Sequence, residues 1–218
     1  MAELVFDCIG ARVDRYAAVP SFDLDLRISE TSGEKVDAIA LRTQIRIEPF
    51  RRPYSDDEAE RLHDLFGERV RWADTLKPLQ FTTISTMVPG FTGSIEVPLP
   101  VPFTYDLQIA STRYFSSLDD GEIPLLLLFS GTVFSTVDGR LSIQQVPWSK
   151  EAHYRFPLGI WQEAIDVHFP DSAWIKMSRS TLDILLEFKS RAALPTWDAT
   201  IATLLSLAAE SSEQAYDV

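Results

Sequence analysis

The sequence predicts an α+β protein, a mainly antiparallel β-sandwich with one inserted helix and a C-terminal layer of about three helices. Two observations support this fold class. Segments with an apolar residue at every second position dominate residues 1–156, and apolar residues at helical spacing dominate residues 157–209. A chain of 218 residues is within the range of one β-rich domain, so we expect a single domain, 1–218, with a frayed tail at 210–218.

Two early segments have the alternation of half-buried strands. SFDLDLRIS (21–29) and AIALRTQIRIEP (38–49) place apolar and polar residues in turn. The TSGEK (31–35) between them has the composition of a hairpin connection, which predicts that the two strands are neighbours.

Further strands follow along the chain. LQFTTISTMV (79–88) leads through a turn to SIEVPLPV (94–101), whose prolines cannot donate to a ladder and therefore predict an edge or bulged strand. The pair Asp138-Gly139 predicts a hairpin before RLSIQQV (140–146). Three more segments bring the expected number of strands to roughly eight or nine: they are LVFDC (4–8), TYDLQIA (104–110) and AHYRF (152–156).

The most apolar stretch of the chain is GEIPLLLLFSGTVF (121–134). Its uninterrupted apolar part runs from Ile123 to Phe129 and is broken by Pro124, so it is much shorter than the roughly 18 residues of a spanning helix. The run therefore predicts a strand that is covered on both faces.

Helices are predicted in two places. In YSDDEAERLHDLFG (54–67), Ser55 and Glu58 form a capping box and Gly67 suits the C′ position. After Pro157, three amphipathic helices are expected. The first carries Leu158, Trp161, Ala164 and Ile165, the second opens at Ser180 and carries Leu182, Leu185 and Leu186, and the third carries Ile201, Leu204 and Leu205.

Charge and cysteine content narrow the classes of partner. Lys plus Arg number 20 against 32 Asp plus Glu, a net charge of −12, which disfavours nucleic acid and an anionic membrane surface. The single Cys8 can form neither an internal disulfide nor a multi-thiolate metal site, so a cytoplasmic location is the default expectation. The N-terminal residues have no pattern of an export signal, and no segment predicts a membrane span.

The histidines and the cysteine form no recognised catalytic pattern. His168, beside Asp166 and Asp171, could serve as a general base or a metal ligand, but a position near a helix end explains it more simply. His63 and His153 suit a solvated helix face and a strand. Cys8 is expected to be an inert thiol within the first strand. We predict no catalytic residue, and the protein is expected not to be an enzyme.

Acidic clusters are candidate metal sites. SLDDGE (117–122) precedes the apolar run, where loop carboxylates can bind calcium, but its spacing does not match an EF-hand loop and a short acidic turn explains it more simply. We predict no metal and no cofactor.

Aromatic residues in the predicted connections are the candidates for contact with a partner, because such rings are enriched at interfaces. Packing between helix and sheet is the alternative explanation for them. The candidate partner-binding residues are Trp72, Tyr114, Phe115, Trp148 and Trp174.

Several long stretches resemble an uncharacterised bacterial family of about this length. They are RYAAVPSFDLDLRISETSGEKVDAIALRTQIRIEPFRRPYSDDEAERLHDLFG (15–67), LKPLQFTTISTMVPGFTGS (76–94), PVPFTYDL (100–107), PLLLLFSGTVF (124–134) and ALPTWDAT (193–200). Genes of that family tend to lie beside those of high-affinity uptake [NiFe]-hydrogenases. The resemblance implies an accessory, assembly or partner-binding role, and it supplies no catalytic residues.

Two functions from different classes remain open. The favoured hypothesis is a non-enzymatic accessory protein that binds a protein partner, with a hydrogenase subunit or a maturation factor as the candidate; a homo-oligomer is a further expectation. The alternative is a small-molecule-binding protein or hydrolase that uses a pocket between the sheet and the C-terminal helices, with Trp161, Asp166 and His168 near its mouth.

Overall fold

A computed structural model describes residues 2–103, 113–137, 139–170 and 177–216, with side chains through residue 209. The chain divides into two compact units, residues 1–171 and 172–218. Each unit is described by itself below. The predicted strand at 104–110 and the position of Trp174 lie outside the described residues.

The first unit contains two antiparallel sheets, which confirms the α+β class. A three-stranded sheet has the order β1-β2-β5, and a five-stranded sheet has the order β4-β3-β6-β7 with β8 also paired to β6. The strands are β1 Leu4–Val13, β2 Ser21–Glu30, β3 Val36–Ile47, β4 Leu79–Phe91, β5 Ser94–Pro102, β6 Glu122–Val137, β7 Arg140–Gln145 and β8 Glu151–Pro157.

Short helices separate β3 from β4, where the sequence predicts one inserted helix. They are α1 Asp56–Arg61, α2 His63–Phe66 and α3 Trp72–Thr75, with 3₁₀ turns at Pro49–Arg51 and Arg69–Arg71. The predicted capping box is confirmed, because the Ser55 hydroxyl accepts from the Glu58 N–H and the Glu58 carboxylate accepts from the Ser55 N–H. Gly67 ends α2 with φ 71°, a conformation that suits glycine.

The predicted hairpin between β2 and β3 is wrong, because β2 pairs with β1 and β5 whereas β3 pairs with β4 and β6. The chain crosses here from one sheet to the other. The carboxylate of Glu30 holds the crossing: it accepts from the backbone N–H groups of Glu3, Ser32 and Gly33 at 3.0, 2.9 and 2.8 Å, and from the Ser32 hydroxyl. Turn composition identifies the bend but not the sheet to which the next strand belongs.

Strands β4 and β5 also lie in different sheets, although they follow each other in the chain. Among the described strands, β5 pairs with β2 alone and lies at the edge of its sheet, as Pro98 and Pro100 predict. The predicted hairpin after β6 is confirmed as well, since Val137 pairs with Arg140.

Side chains from both sheets meet in one hydrophobic core. The ring of Phe6 on β1 stacks on Phe129 of β6 with 4.4 Å between centroids, and Phe22 on β2 lies 4.5 Å from Phe156 of β8. These pairs connect the three-stranded sheet to the five-stranded sheet. Aromatic pairs at such distances stabilise a core beyond the area that they bury.

The apolar run forms β6, but its two faces differ. Leu125, Leu127 and Phe129 are buried, whereas Leu126 and Leu128 on the opposite face are only half-buried. The prediction of a strand covered on both faces is therefore wrong for these two leucines. Gly131 allows β3 to approach closely: its φ is 145°, and a Cβ there would lie 2.1 Å from the Ala40 carbonyl oxygen.

Helix α4, Leu158–His168, follows β8 directly and has Pro157 as its N-cap. It packs against β1 and β2 through the predicted stripe, with Leu158 and Ala164 buried and Trp161 half-buried. The first of the predicted C-terminal helices is therefore confirmed.

The second unit contains α5 Arg179–Arg191 and α6 Trp197–Tyr216, at the positions of the other two predicted helices. Helix α5 begins before the predicted Ser180, because the Ser178 hydroxyl caps it by accepting from the Thr181 N–H at 3.1 Å. Between the helices, the Lys189 ammonium donates to the carbonyl of Leu194 at 2.8 Å. No helix within the described ranges is both long enough and apolar enough to span a membrane.

Candidate functional site

A buried ion pair joins the helical insertion to the loop before β6. The Arg52 guanidinium donates to both carboxylate oxygens of Glu58, at 2.8 and 3.1 Å, and both side chains are buried. Arg52 also donates to the Asp120 carbonyl at 2.6 Å, and Glu58 accepts from the Asp119 N–H at 3.1 Å. Burial acts to raise the pKa of Glu58, but Arg52 and the backbone donors outweigh it, so this pKa lies below its ordinary value.

A pair of tyrosines lies beside this ion pair. The Tyr54 hydroxyl donates to the Pro49 carbonyl and accepts from the Tyr114 hydroxyl, with 2.7 Å for each hydrogen bond. Burial raises the pKa of Tyr54 to about 12 and raises the pKa of Tyr114 further. The Trp72 ring meets Tyr54 edge-on at 5.2 Å, and its indole N–H donates to the Gly67 carbonyl.

Arg52, Tyr54 and Glu58 line a cavity of about 620 Å³ together with Pro53, Ser55, Arg155 and residues 119–122. The charged groups at its base, Arg52 and Glu58, are already bonded to each other and to backbone atoms. A carboxylate and a guanidinium that satisfy each other stabilise a structure and leave little capacity for a ligand. This cavity therefore lies at the contact that attaches the helical insertion to the loop before β6. We refer to that contact as the structural joint.

A smaller cavity of about 230 Å³ contains one of the two carboxylate–imidazole pairs among the described residues, Glu48 with His153; the other is Glu151 with His153. Glu48 is buried, and its Oε2 lies 3.0 Å from Nε of Arg51 and 3.4 Å from Nδ1 of His153. Such a pair can orient an imidazole for proton transfer. The other described residues in the lining are Pro124, Leu125, Tyr154 and Arg155, and none of them is serine, threonine or cysteine.

The outer face of the five-stranded sheet is the side opposite the core. On β3 it carries Ala38, Ala40, Arg42, Gln44 and Arg46, and their cross-strand partners on β4 and β6 lie on the same face. Four large apolar side chains are exposed here: Met87 at 65%, Leu141 at 67%, Ile143 at 61% and Trp148 at 92%. Trp148 lines a cavity of about 460 Å³ together with Arg42, Gln44, Gln80, Thr83, Leu128, Phe129 and Ser130.

The predicted partner-binding residues have different environments. Trp72, Tyr114 and Phe115 are core residues, with 7%, 0% and 1% of their surface exposed, and they pack against other rings. Trp148 is exposed on the outer face, as a partner-binding residue requires. Trp174 lies outside the described residues.

The sequence alone does not mark Met87, Leu141 and Ile143 as surface residues. In β7, Leu141 and Ile143 alternate with polar residues, a pattern that a strand with a buried apolar face has as well. The register decides otherwise: Ile143 pairs with Phe134 and Leu141 with Thr136, both on the outer face. Alternation shows that two faces differ, but it does not show which face another layer covers.

The remaining candidates for catalysis are two histidines and the cysteine, which contact backbone atoms or are exposed. The His168 ring lies at the end of α4, with Nδ1 3.2 Å from the Ala164 carbonyl and Nε2 3.0 Å from the Ala17 carbonyl. His63 is exposed. Burial raises the pKa of Cys8 to about 12 and outweighs a backbone hydrogen bond at Gly10 that acts to lower it, so the thiol is protonated at neutral pH.

The acidic residues at 117–122 serve the structural joint: Asp119 accepts from Arg61 at 2.5 Å, and the Asp120 carbonyl accepts from Arg52. Within the described ranges, no three carboxylates, thiols or imidazoles are placed to share a metal ion.

Fold and surface together define an α+β protein with two antiparallel sheets, a shared core and an exposed sheet face. The chain belongs to a family of unknown function, DUF6084, which matches residues 1–213. No curated protein matches the sequence.

Solved structures show only distant similarity. A β-glucosidase from Kluyveromyces marxianus is 10% identical with a TM-score of 0.28, and β-glucosidase 3B from Thermotoga neapolitana is 11% identical with a TM-score of 0.26. Each alignment covers 71% of this chain, but only 15% and 17% of the respective β-glucosidase.

Proposed function

We propose that this protein is a non-enzymatic accessory protein that binds a protein partner through the outer face of its five-stranded sheet. One observation carries the proposal: Met87, Leu141, Ile143 and Trp148 are all more than half exposed on that face. Several exposed apolar side chains on one sheet face, including a tryptophan, are characteristic of interaction surfaces. In this proposal the two sheets form a sandwich whose uncovered side is the docking platform.

The polar clusters of the described residues support binding rather than catalysis. The Arg52–Glu58 pair is engaged with the protein itself, and the described residues that line the cavity of the Glu48–His153 pair include no serine, threonine or cysteine. The alternative of a small-molecule-binding protein or hydrolase with Trp161, Asp166 and His168 at a pocket mouth gains no support, because backbone carbonyls face both ring nitrogens of His168.

The partner to test first is a [NiFe]-hydrogenase subunit or a maturation factor. The reason is the resemblance to a family whose genes tend to lie beside hydrogenase genes. The proposal includes a cytoplasmic location, as the single cysteine favours. Self-association through the same face is the competing use of this surface, since a sheet face can pair with its own copy around a two-fold axis.

Affinity capture from cells that produce the hydrogenase tests the proposal. The bait is the full chain, compared with a Leu141→Ser/Ile143→Ser variant whose changes lie on exposed positions. We expect the wild type to retain a hydrogenase component and the variant to lose most of it. Sedimentation of the purified protein tests self-association separately. Capture of no hydrogenase component, together with unchanged hydrogen uptake in a deletion strain, would contradict the proposal.

A further inference from the structure

The outer face has a charge opposite to that of the whole chain. Arg42 and Arg46 project from β3, and Arg155 from β8, on the same side of the sheet. We refer to these three residues as the arginine strip. The protein as a whole carries a net charge of −12, so a local group of cations on one sheet face is not explained by composition.

Most other arginines in the described structure pair with carboxylates. The pairs include Arg12 with Asp23, Arg27 with Glu96, Arg52 with Glu58, Arg61 with Asp119 and Arg69 with Asp56. Members of the arginine strip form no ion pair with a carboxylate of any described residue. Their charges are therefore available to a ligand.

The carboxylates near the strip do not cancel its charge. Glu48 is buried and lies 3.0 Å from Arg51, which is outside the strip, so this pair is locally neutral. Glu151 is exposed and lies 3.8 Å from His153. Glu122 is also exposed on this face, and it lines a cavity together with Arg155. The excess of positive charge therefore rests on Arg42 and Arg46, whose cross-strand partners on β4 and β6 are uncharged.

Neighbouring amides hold part of the strip in place. The Arg46 guanidinium donates to Oε1 of the Gln44 side chain at 3.2 Å, and Nε2 of Gln44 donates to Oε1 of the Gln80 side chain at 3.1 Å. Arg42 and Gln44 line the same cavity as the exposed ring of Trp148. A guanidinium held in position loses less conformational freedom when it binds a carboxylate.

We infer that the arginine strip and Trp148 bind an acidic segment of the partner protein, with an apolar side chain of that segment against Trp148. This inference rests on the proposed function and specifies the chemistry of the partner. Arg42 and Arg46 are four positions apart on one strand, about 13 Å, which matches carboxylates at positions i and i+4 of an extended peptide. Guanidinium groups bind carboxylates in a planar, two-pronged geometry.

The first experiment measures the fluorescence anisotropy of a labelled extended peptide, about twelve residues long, with glutamates four positions apart and two leucines. A second peptide has glutamine in place of each glutamate. We expect the full-length protein to bind the acidic peptide about tenfold more tightly than the glutamine peptide, with a preference that falls as salt rises. Equal binding of the two peptides would overturn the inference.

The variant Arg42→Gln/Arg46→Gln is expected to lose this preference. Arg71→Gln is the matched control, because Arg71 is also exposed but lies on the 3₁₀ turn Arg69–Arg71. Thermal melting checks that each variant is folded. A preference that survives in the folded double variant would overturn the inference, and so would tighter binding of a single-stranded oligonucleotide than of the acidic peptide.

Affinity capture separates this inference from the proposed function. If the Arg42→Gln/Arg46→Gln variant retains the partner while Leu141→Ser/Ile143→Ser loses it, the outer face is an interface but the acidic segment is wrong. If the wild type binds the acidic peptide with the expected dependence on the strip but captures no partner, the strip chemistry stands and the proposed function fails.

Discussion

Nη2 of Arg52 lies 2.8 Å from Oε1 of Glu58, and both side chains are at least nine-tenths buried. The pair connects the 3₁₀ turn after β3 to α1, and its remaining hydrogen bonds reach the backbone of Asp119 and Asp120. The helical insertion is thus attached to the start of β6 by charge as well as by packing. If one partner is removed, the other charge stays buried without a counter-ion. The first prediction follows from this.

Glu58→Gln is expected to lower the free energy of unfolding by about 3–5 kcal/mol, because Arg52 then keeps its charge without a carboxylate. Urea denaturation followed by tryptophan fluorescence measures the change. Glu60→Gln is the control, since Glu60 is exposed on the same helix and its change should stay within about 0.5 kcal/mol. Equal effects of the two variants would contradict a structural role for the ion pair.

Acid should destabilise the protein through Glu30 in particular. Hydrogen bonds from the Ser32 hydroxyl and from backbone N–H groups lower the pKa of Glu30 from 4.5 to about 2, in spite of desolvation, which acts to raise it. A lowered pKa in the folded state gives stability that is fully present above pH 4.5 and is lost as the pH falls toward 2.

Denaturation curves between pH 5 and about pH 2.5 measure this dependence. Glu30→Gln should flatten the pH dependence and should be less stable than the wild type at pH 7. A wild type and variant with parallel curves over this range would show that Glu30 does not hold the crossing between the sheets.

Gly131→Ala is expected to lower the free energy of unfolding by more than about 2 kcal/mol, because the new methyl group would lie 2.1 Å from the Ala40 carbonyl oxygen. Gly139→Ala is the matched control: its φ is also positive, at 72°, but its Cβ would meet no atom within 4 Å. That variant should lose only about 1 kcal/mol. Thermal or urea denaturation compares the two, and equal losses would rule out a steric origin.

Cys8 should react slowly with iodoacetamide at pH 8 in the native protein, because burial raises its pKa to about 12 and leaves almost no thiolate. In urea the thiol should regain ordinary reactivity. Mass spectrometry of the alkylated chain measures both rates. Equally fast labelling with and without urea would contradict the environment that the structure gives to this residue.

The outer face should tolerate polar substitutions in the isolated protein. Met87→Gln, Leu141→Ser and Ile143→Ser are each expected to change the free energy of unfolding by less than about 0.5 kcal/mol, because these side chains are already exposed. Their effect should appear instead as reduced capture of the partner. Val133→Ser, at a buried position on the opposite face of β6, is the control that should destabilise the fold.

The sequence by itself determined the strands, the helices and several local contacts. Alternation identified β2 and β3, prolines placed β5 at an edge, and the Ser55–Glu58 spacing predicted a capping box that the structure contains. These features depend on neighbours within a few positions, so local sequence is sufficient for them.

Only the tertiary structure decided which sheet each strand joined and which face stayed open. The crossing at Glu30 depends on Glu3, 27 positions away, and the exposure of Ile143 depends on its pairing with Phe134. The same holds for Tyr114, whose burial depends on contacts with Tyr54 and Phe66 far along the chain. A periodic pattern shows that one side of a strand is apolar. Whether that side is buried depends on which other parts of the chain cover it.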